Sequence, residues 1–95
     1  MKFGLSNEEY ELIKNVIERY RKYKFKLFGS RARGNFKNSS DIDFAIFENI
    51  SKEDEYKIRD DFDKLNIIYK IDLVFVNSNL KKELLDSILK EGVDF

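Results

Sequence analysis

Cysteine and histidine are both absent from this 95-residue chain. There can be no disulfide, no thiol nucleophile, no imidazole base and no cysteine or histidine metal ligand. Any catalysis must therefore run on carboxylates, hydroxyls, lysine, arginine and metal bound through oxygen. Proline is missing too, and no repeat, linker-like stretch or low-complexity segment interrupts the chain, so the expectation is a single domain over residues 1–95. No apolar run approaches the roughly 18–20 residues that span a bilayer, and no charged leader precedes an apolar stretch and a cleavage site. That points to a soluble cytoplasmic protein without a membrane partner. Charge of one sign is also lacking: 18 basic residues balance 18 acidic ones, which removes the electrostatic reason for tight nonspecific binding to nucleic acid.

Apolar and aromatic residues, by contrast, are plentiful. They make up 42% and 15% of the chain, with nine phenylalanines, which is ample for one buried core and unlike a disordered segment. Ser6 and Glu9 have the spacing of a capping box, and Tyr10, Ile13, Val16, Ile17 and Tyr20 follow at helical intervals, predicting a helix over about 7–22. Alternation in Tyr23, Phe25 and Leu27 predicts a strand that Gly29 stops. Ser30–Gly34 suits one helical turn, followed by a polar loop and a strand over 41–47. Ser51 with Glu53, Asp54 and Glu55 suits the start of a helix reaching about Asn66, with Ile58, Phe62 and Leu65 inward. A third strand is expected over 69–76. A last helix, capped by Asn79, would carry Leu80, Leu84, Ile88 and Leu89 and end at Gly92.

The chemistry lies in Phe28-Gly29-Ser30-Arg31-Ala32-Arg33-Gly34 and Ser40-Asp41-Ile42-Asp43-Phe44. A strand ending in glycine admits a ligand close to the backbone, and the turn opening at Ser30 offers a hydroxyl and free N–H groups to an anion. Asp41 and Asp43, two apart on a strand, share a face. Such a pair repels, and one pKa should rise unless a cation sits between them; oxygen ligands alone favour a hard ion such as Mg²⁺. Asp72 has the same phase in the third strand and can join them. Bringing Gly29, Asp41 and Asp72 together requires strands one and two to run antiparallel and strands two and three parallel, with the intervening helix as crossover. The expected fold class is α+β, a small mixed sheet flanked by helices.

A GS-x-x-x-G turn, a short spacer and S-D-x-D-F resemble the minimal nucleotidyltransferases of the DNA polymerase β-like superfamily. The motif covers Phe28–Phe44. The resemblance implies the polymerase β-like fold, triphosphate binding by Gly29 and Ser30, two Mg²⁺ ions on Asp41, Asp43 and Asp72, and ATP as the nucleotide substrate. Those three aspartates are then both the metal ligands and the catalytic residues, with Asp72 on the side of the attacking hydroxyl. Ser40 and Arg33 are further candidates for contact with the nucleotide. The shortness of the chain is similar to that of the MntA-type antitoxins, which implies a HEPN-domain toxin as partner and a tyrosine hydroxyl as acceptor of AMP.

Two other classes of reading stand beside this one. The chain can be a binding module that neutralises a partner by forming a complex, or it can transfer to a small molecule or RNA, where nucleic acid enters only as an alternative acceptor. Arg31 and Arg33 can contact phosphate or pair with the aspartates. Lys24 and Lys26 read as the solvated face of an edge strand, Lys37 as a loop residue within reach of a nucleotide or partner, and the tyrosines as structural.

Overall fold

The computed structural model of the chain describes residues 2–47, 49–77 and 79–95. The elements follow in the order α1 (Asn7–Arg19), β1 (Lys24–Phe28), α2 (Ser30–Arg33), β2 (Ile42–Phe47), α3 (Lys52–Asp63), β3 (Ile71–Phe75) and α4 (Lys82–Glu91). The strands form one sheet in the order β1-β2-β3, with β1 antiparallel to β2 and β2 parallel to β3. This is the mixed α+β architecture that the placement of the aspartates demands.

Local chemistry explains most of the boundaries. Ser6 and Glu9 close a reciprocal capping box at the start of α1. Ser51 accepts the Asp54 N–H at the start of α3, with three acidic residues in its first turn where the helix dipole favours them. Three expectations need correction. The first helix stops at Arg19 rather than near Lys22, because residues 20–23 close a turn through the Tyr23 N–H and the Tyr20 carbonyl, aiming both tyrosine hydroxyls at α3. Asn79 does not cap the last helix. The Asn77 side chain accepts the Asn79 N–H, the Leu80 N–H bonds the Asn77 carbonyl, and that turn delays α4 until Lys81 becomes its cap. Leu89, expected on the buried stripe, is 65% exposed.

The sheet is packed on both faces. Phe25, Leu27, Ile42, Phe44 and Ile46 meet Ile13 and Val16 of α1 and Ile58 and Phe62 of α3. On the opposite face Phe28 and Ala45 pack with Ile88 of α4, supported by Val74 and Leu84. Alternation along each strand makes these two sets mutually exclusive. Consequently the side chains of Asp43 and Asp72, in phase with Ala45 and Val74, fall on the α4 face. Lys26 is not simply solvated: Leu27 exchanges both backbone hydrogen bonds with Val93, and Lys26 Nζ lies 2.9 Å from Asp94, so the outer edge of β1 is partly closed. Among the described residues no helix is long and apolar enough to cross a membrane.

Candidate active site

The strand register creates the site. Phe28 pairs with Asp43, and Asp43 pairs with Asp72, so one line across the sheet runs from the end of β1 through both carboxylates. Gly29 follows directly. Its φ of +81° belongs to glycine, and a Cβ there would stand 2.5 Å from Asp43 Oδ2. The sequence therefore needs glycine twice over at this position, for the backbone conformation and for the space that the carboxylate occupies. Ser30 then opens α2, a single turn closed by the Arg33 N–H to the Gly29 carbonyl and the Gly34 N–H to the Ser30 carbonyl. The N–H groups ahead of these have no acceptor within the turn.

Asp41 sits one residue before β2 rather than inside it, because the ladder begins where the Ile42 N–H meets the Lys70 carbonyl. It is nonetheless close enough for its charge to act on Asp43. The Asp43 carboxyl is pushed above the ordinary aspartate range, first by partial burial, then by the negative charges of Asp72 and Asp41 and a hydrogen bond with Asp72, while Arg33 works in the opposite direction. Two acidic groups, Asp72 and Asp41, thus act on Asp43, an arrangement that favours a cation nearby. Oxygen-only donors of this kind suit Mg²⁺ better than a softer metal. Among the described residues, however, no three acidic side chains come together closely enough to hold a metal ion. Lys70 Nζ lies 3.4 Å from Asp72 Oδ1, where a cation offsets part of the repulsion.

The remaining candidates are placed as follows. Arg33 lies at the end of α2 with its guanidinium 2.8 Å from Glu91 of α4, beside the carboxylates but held by another partner. The Ser40 hydroxyl accepts the Lys37 N–H at 2.8 Å, so it closes the spacer loop. Arg31 makes no aspartate pair. It is 2% exposed, donates through Nε and Nη2 to the Ser40 carbonyl and through Nη1 to the Phe3 carbonyl, and lies over the rings of Tyr69 and Phe36. Sequence reasoning missed this arrangement and the Glu91 contact, since neither the N-terminal turn nor α4 is adjacent in sequence. The available signal was Phe36, the one aromatic residue in the polar spacer between Gly34 and Asp41. A basic cleft of about 330 Å³ lined by Lys14, Arg21, Lys22 and Lys24 lies at the other end of the sheet, where Lys24 pairs with Phe47.

A family model described as "Polymerase beta, Nucleotidyltransferase" matches residues 11–94. The chain belongs to the polymerase β nucleotidyltransferase family. Among curated proteins none matches it. Membership accounts for the mixed sheet and supports nucleotidyl transfer in general, and the match extends from α1 to the closing segment beyond α4. In this member of the nucleotidyltransferase family the Gly29–Ser30 turn meets Asp43 and Asp72 at one end of the sheet.

Proposed function

We propose that the chain is a Mg²⁺-dependent nucleotidyltransferase that moves AMP from ATP onto a hydroxyl of a partner protein, with a tyrosine as acceptor and a HEPN-type toxin as partner. The observation that carries the proposal is the line from Gly29 through Asp43 to Asp72, which sets a turn suited to phosphate beside paired carboxylates. Family membership supports the reaction class. The partner and acceptor rest on the resemblance to the MntA-type antitoxins.

In this reading Asp41, Asp43 and Asp72 would hold two Mg²⁺ ions, which when bound would supply positive charge to the attacking and leaving oxygens. Gly29 and Ser30 hold the phosphates through N–H groups and the hydroxyl. The acceptor oxygen attacks the α-phosphorus in line, the bond from that phosphorus to the bridging oxygen breaks, and pyrophosphate leaves. Asp72 takes the hydroxyl proton, since no histidine exists to do so and its carboxylate lies beside the metal-binding pair on the side of the acceptor. Arg33, if released from Glu91, can reach toward the triphosphate.

The test uses ATP labelled on either the α- or the γ-phosphate together with the partner. Label should pass from the α position only, and Asp41→Asn or Asp43→Asn, each close to isosteric, should abolish transfer while leaving complex formation intact. A partner neutralised equally well by Asp43→Asn with no label transferred would instead establish the binding-module reading.

A further inference from the structure

Arg31 is the most deeply buried charged residue in the described structure, at 2% exposure, and the transfer chemistry above makes no use of it. Burying a guanidinium is costly unless its donors and its charge are satisfied. Here they are satisfied in an unusual way. Nε and Nη2 both donate to one acceptor, the Ser40 carbonyl, at 3.1 and 2.9 Å, and Nη1 donates to the Phe3 carbonyl at 2.9 Å. The Tyr69 ring centroid is 4.3 Å from the guanidinium carbon and the Phe36 centroid 5.2 Å, so aromatic faces support the charge where a carboxylate would otherwise be needed.

Each of these contacts belongs to a different segment of the site. Arg31 itself is in the turn that follows Gly29 and Ser30. Ser40 directly precedes Asp41. Tyr69 leads into β3 and Asp72 two residues after its neighbour Lys70. Phe3 belongs to the N-terminal turn, which is closed by the Leu5 N–H to the Lys2 carbonyl and runs through positive φ at Phe3 and Gly4. Gly4 is packed so tightly here that a Cβ would stand 2.9 Å from Arg31 Nη1 and inside the Phe36 ring.

We propose that Arg31 is a positioning residue: its guanidinium fork sets the Ser40–Asp41 segment against the Gly29–Ser30 turn, and the N-terminal turn at Phe3–Gly4 braces the fork. The inference rests on the nucleotidyl-transfer reading for its catalytic consequence, but its structural content stands apart from it. Lysine cannot replace this arginine, because an ammonium keeps the charge but has no planar fork for one carbonyl and no flat face for Tyr69.

Amide hydrogen exchange tests the structural part without ATP, on wild type, Arg31→Lys, Arg31→Met and Gly4→Ala. The Ser40 and Ile42 amides, bonded to the Lys37 and Lys70 carbonyls, should exchange roughly tenfold faster in all three variants, with α1, α3 and the middle of β2 unchanged. The double variant Arg31→Met with Gly4→Ala should lose less than the sum of the two single losses, since both act partly through one clamp. In the labelled-ATP assay kcat should fall roughly 10- to 100-fold, with KM for ATP little altered. Unchanged exchange at Ser40 and Ile42 in the variants that fold, or an Arg31→Lys enzyme with wild-type kcat, overturns the proposal. Should wild type transfer nothing, the functional reading fails, and exchange alone decides the clamp.

Discussion

At the scale of single residues, the contact between Gly29 and Asp43 joins fold to chemistry. Adding one methyl group at Gly29 confronts the Asp43 carboxylate at 2.5 Å and forces an L-residue to φ +81°. Gly29→Ala should therefore destabilise the protein by about 1–3 kcal/mol and weaken ATP binding as well, as read by chemical denaturation and calorimetric titration. Asp43→Asn should act in the opposite sense on metal-free protein. The Asp43 pKa is raised in the folded state, so folding favours the protonated form: no penalty exists below the ordinary aspartate pKa of about 3.9, and the penalty grows as pH rises through the folded value. Metal-free Asp43→Asn should match or exceed wild type in melting temperature at neutral pH, and the difference should vanish in acid. A clear loss at pH 7 would mark Asp43 as a structural residue. Alternation alone exposed Asp43 and Asp72 as partners, because strand periodicity is a local property. Nothing local could show that Arg31 turns inward, since its acceptors are nine and 28 residues away in sequence.

At the scale of elements, two hydroxyl–carboxylate bonds tie the end of α1 to α3: Tyr20 to Asp61 and Tyr23 to Asp54. Each carboxylate also faces a cation, Arg19 3.4 Å from Asp61 and Lys22 3.1 Å from Asp54. Burial, followed by the bond to Asp61, pushes the Tyr20 pKa up to about 12. Because the folded value is raised, its contribution is fully present below the ordinary tyrosine pKa of about 10 and is lost as pH rises through about 12. Absorbance titration should show tyrosinate appearing late for Tyr20, an event that Tyr20→Phe removes, at a cost of about 1 kcal/mol at neutral pH for the lost hydrogen bond. Early titration of all five tyrosines would contradict the contact. Asp54 runs the other way: its pKa is held below the usual range by the Tyr23 hydroxyl and Lys22, so its contribution is present at neutral pH and lost only as pH falls through the lowered value. The helical stripe of α1 was readable, but not that Tyr20, read at its end, and Tyr23, read as a strand residue, both turn to bond α3.

For the molecule as a whole, the strand register puts the candidate site at one end of the sheet, while Phe25, Phe44 and Phe62 form an aromatic cluster on the opposite face. Ligand binding at that end should therefore be felt by the entire cooperative fold. ATP with Mg²⁺ at ten times the dissociation constant should add about 1.4 kcal/mol and raise the melting temperature by several degrees, about 4–8 °C per kcal/mol for a domain of this size. Neither ATP nor Mg²⁺ alone should match the pair, because the nucleotide brings phosphate oxygens and the metal cancels the carboxylate charge. No shift at millimolar concentrations of both would remove the nucleotide reading.

Periodicity, caps and residue chemistry were enough to define the seven elements in order, the mixed sheet, and a candidate site without histidine or cysteine at Gly29, Ser30, Asp41, Asp43 and Asp72. All of these follow from interactions a few residues long or from the side-chain period of a strand, which one sequence displays directly. Tertiary structure alone decided that Asp41 stands just outside β2, that Arg33 is held by Glu91, that Asn77 rather than Asn79 organises the approach to α4, and that Arg31 is buried between Phe36 and Tyr69. Each depends on which distant segment arrives beside a side chain able to take several partners. For arginine and asparagine, with many donors and no preferred neighbour in sequence, the choice is made only when the chain packs.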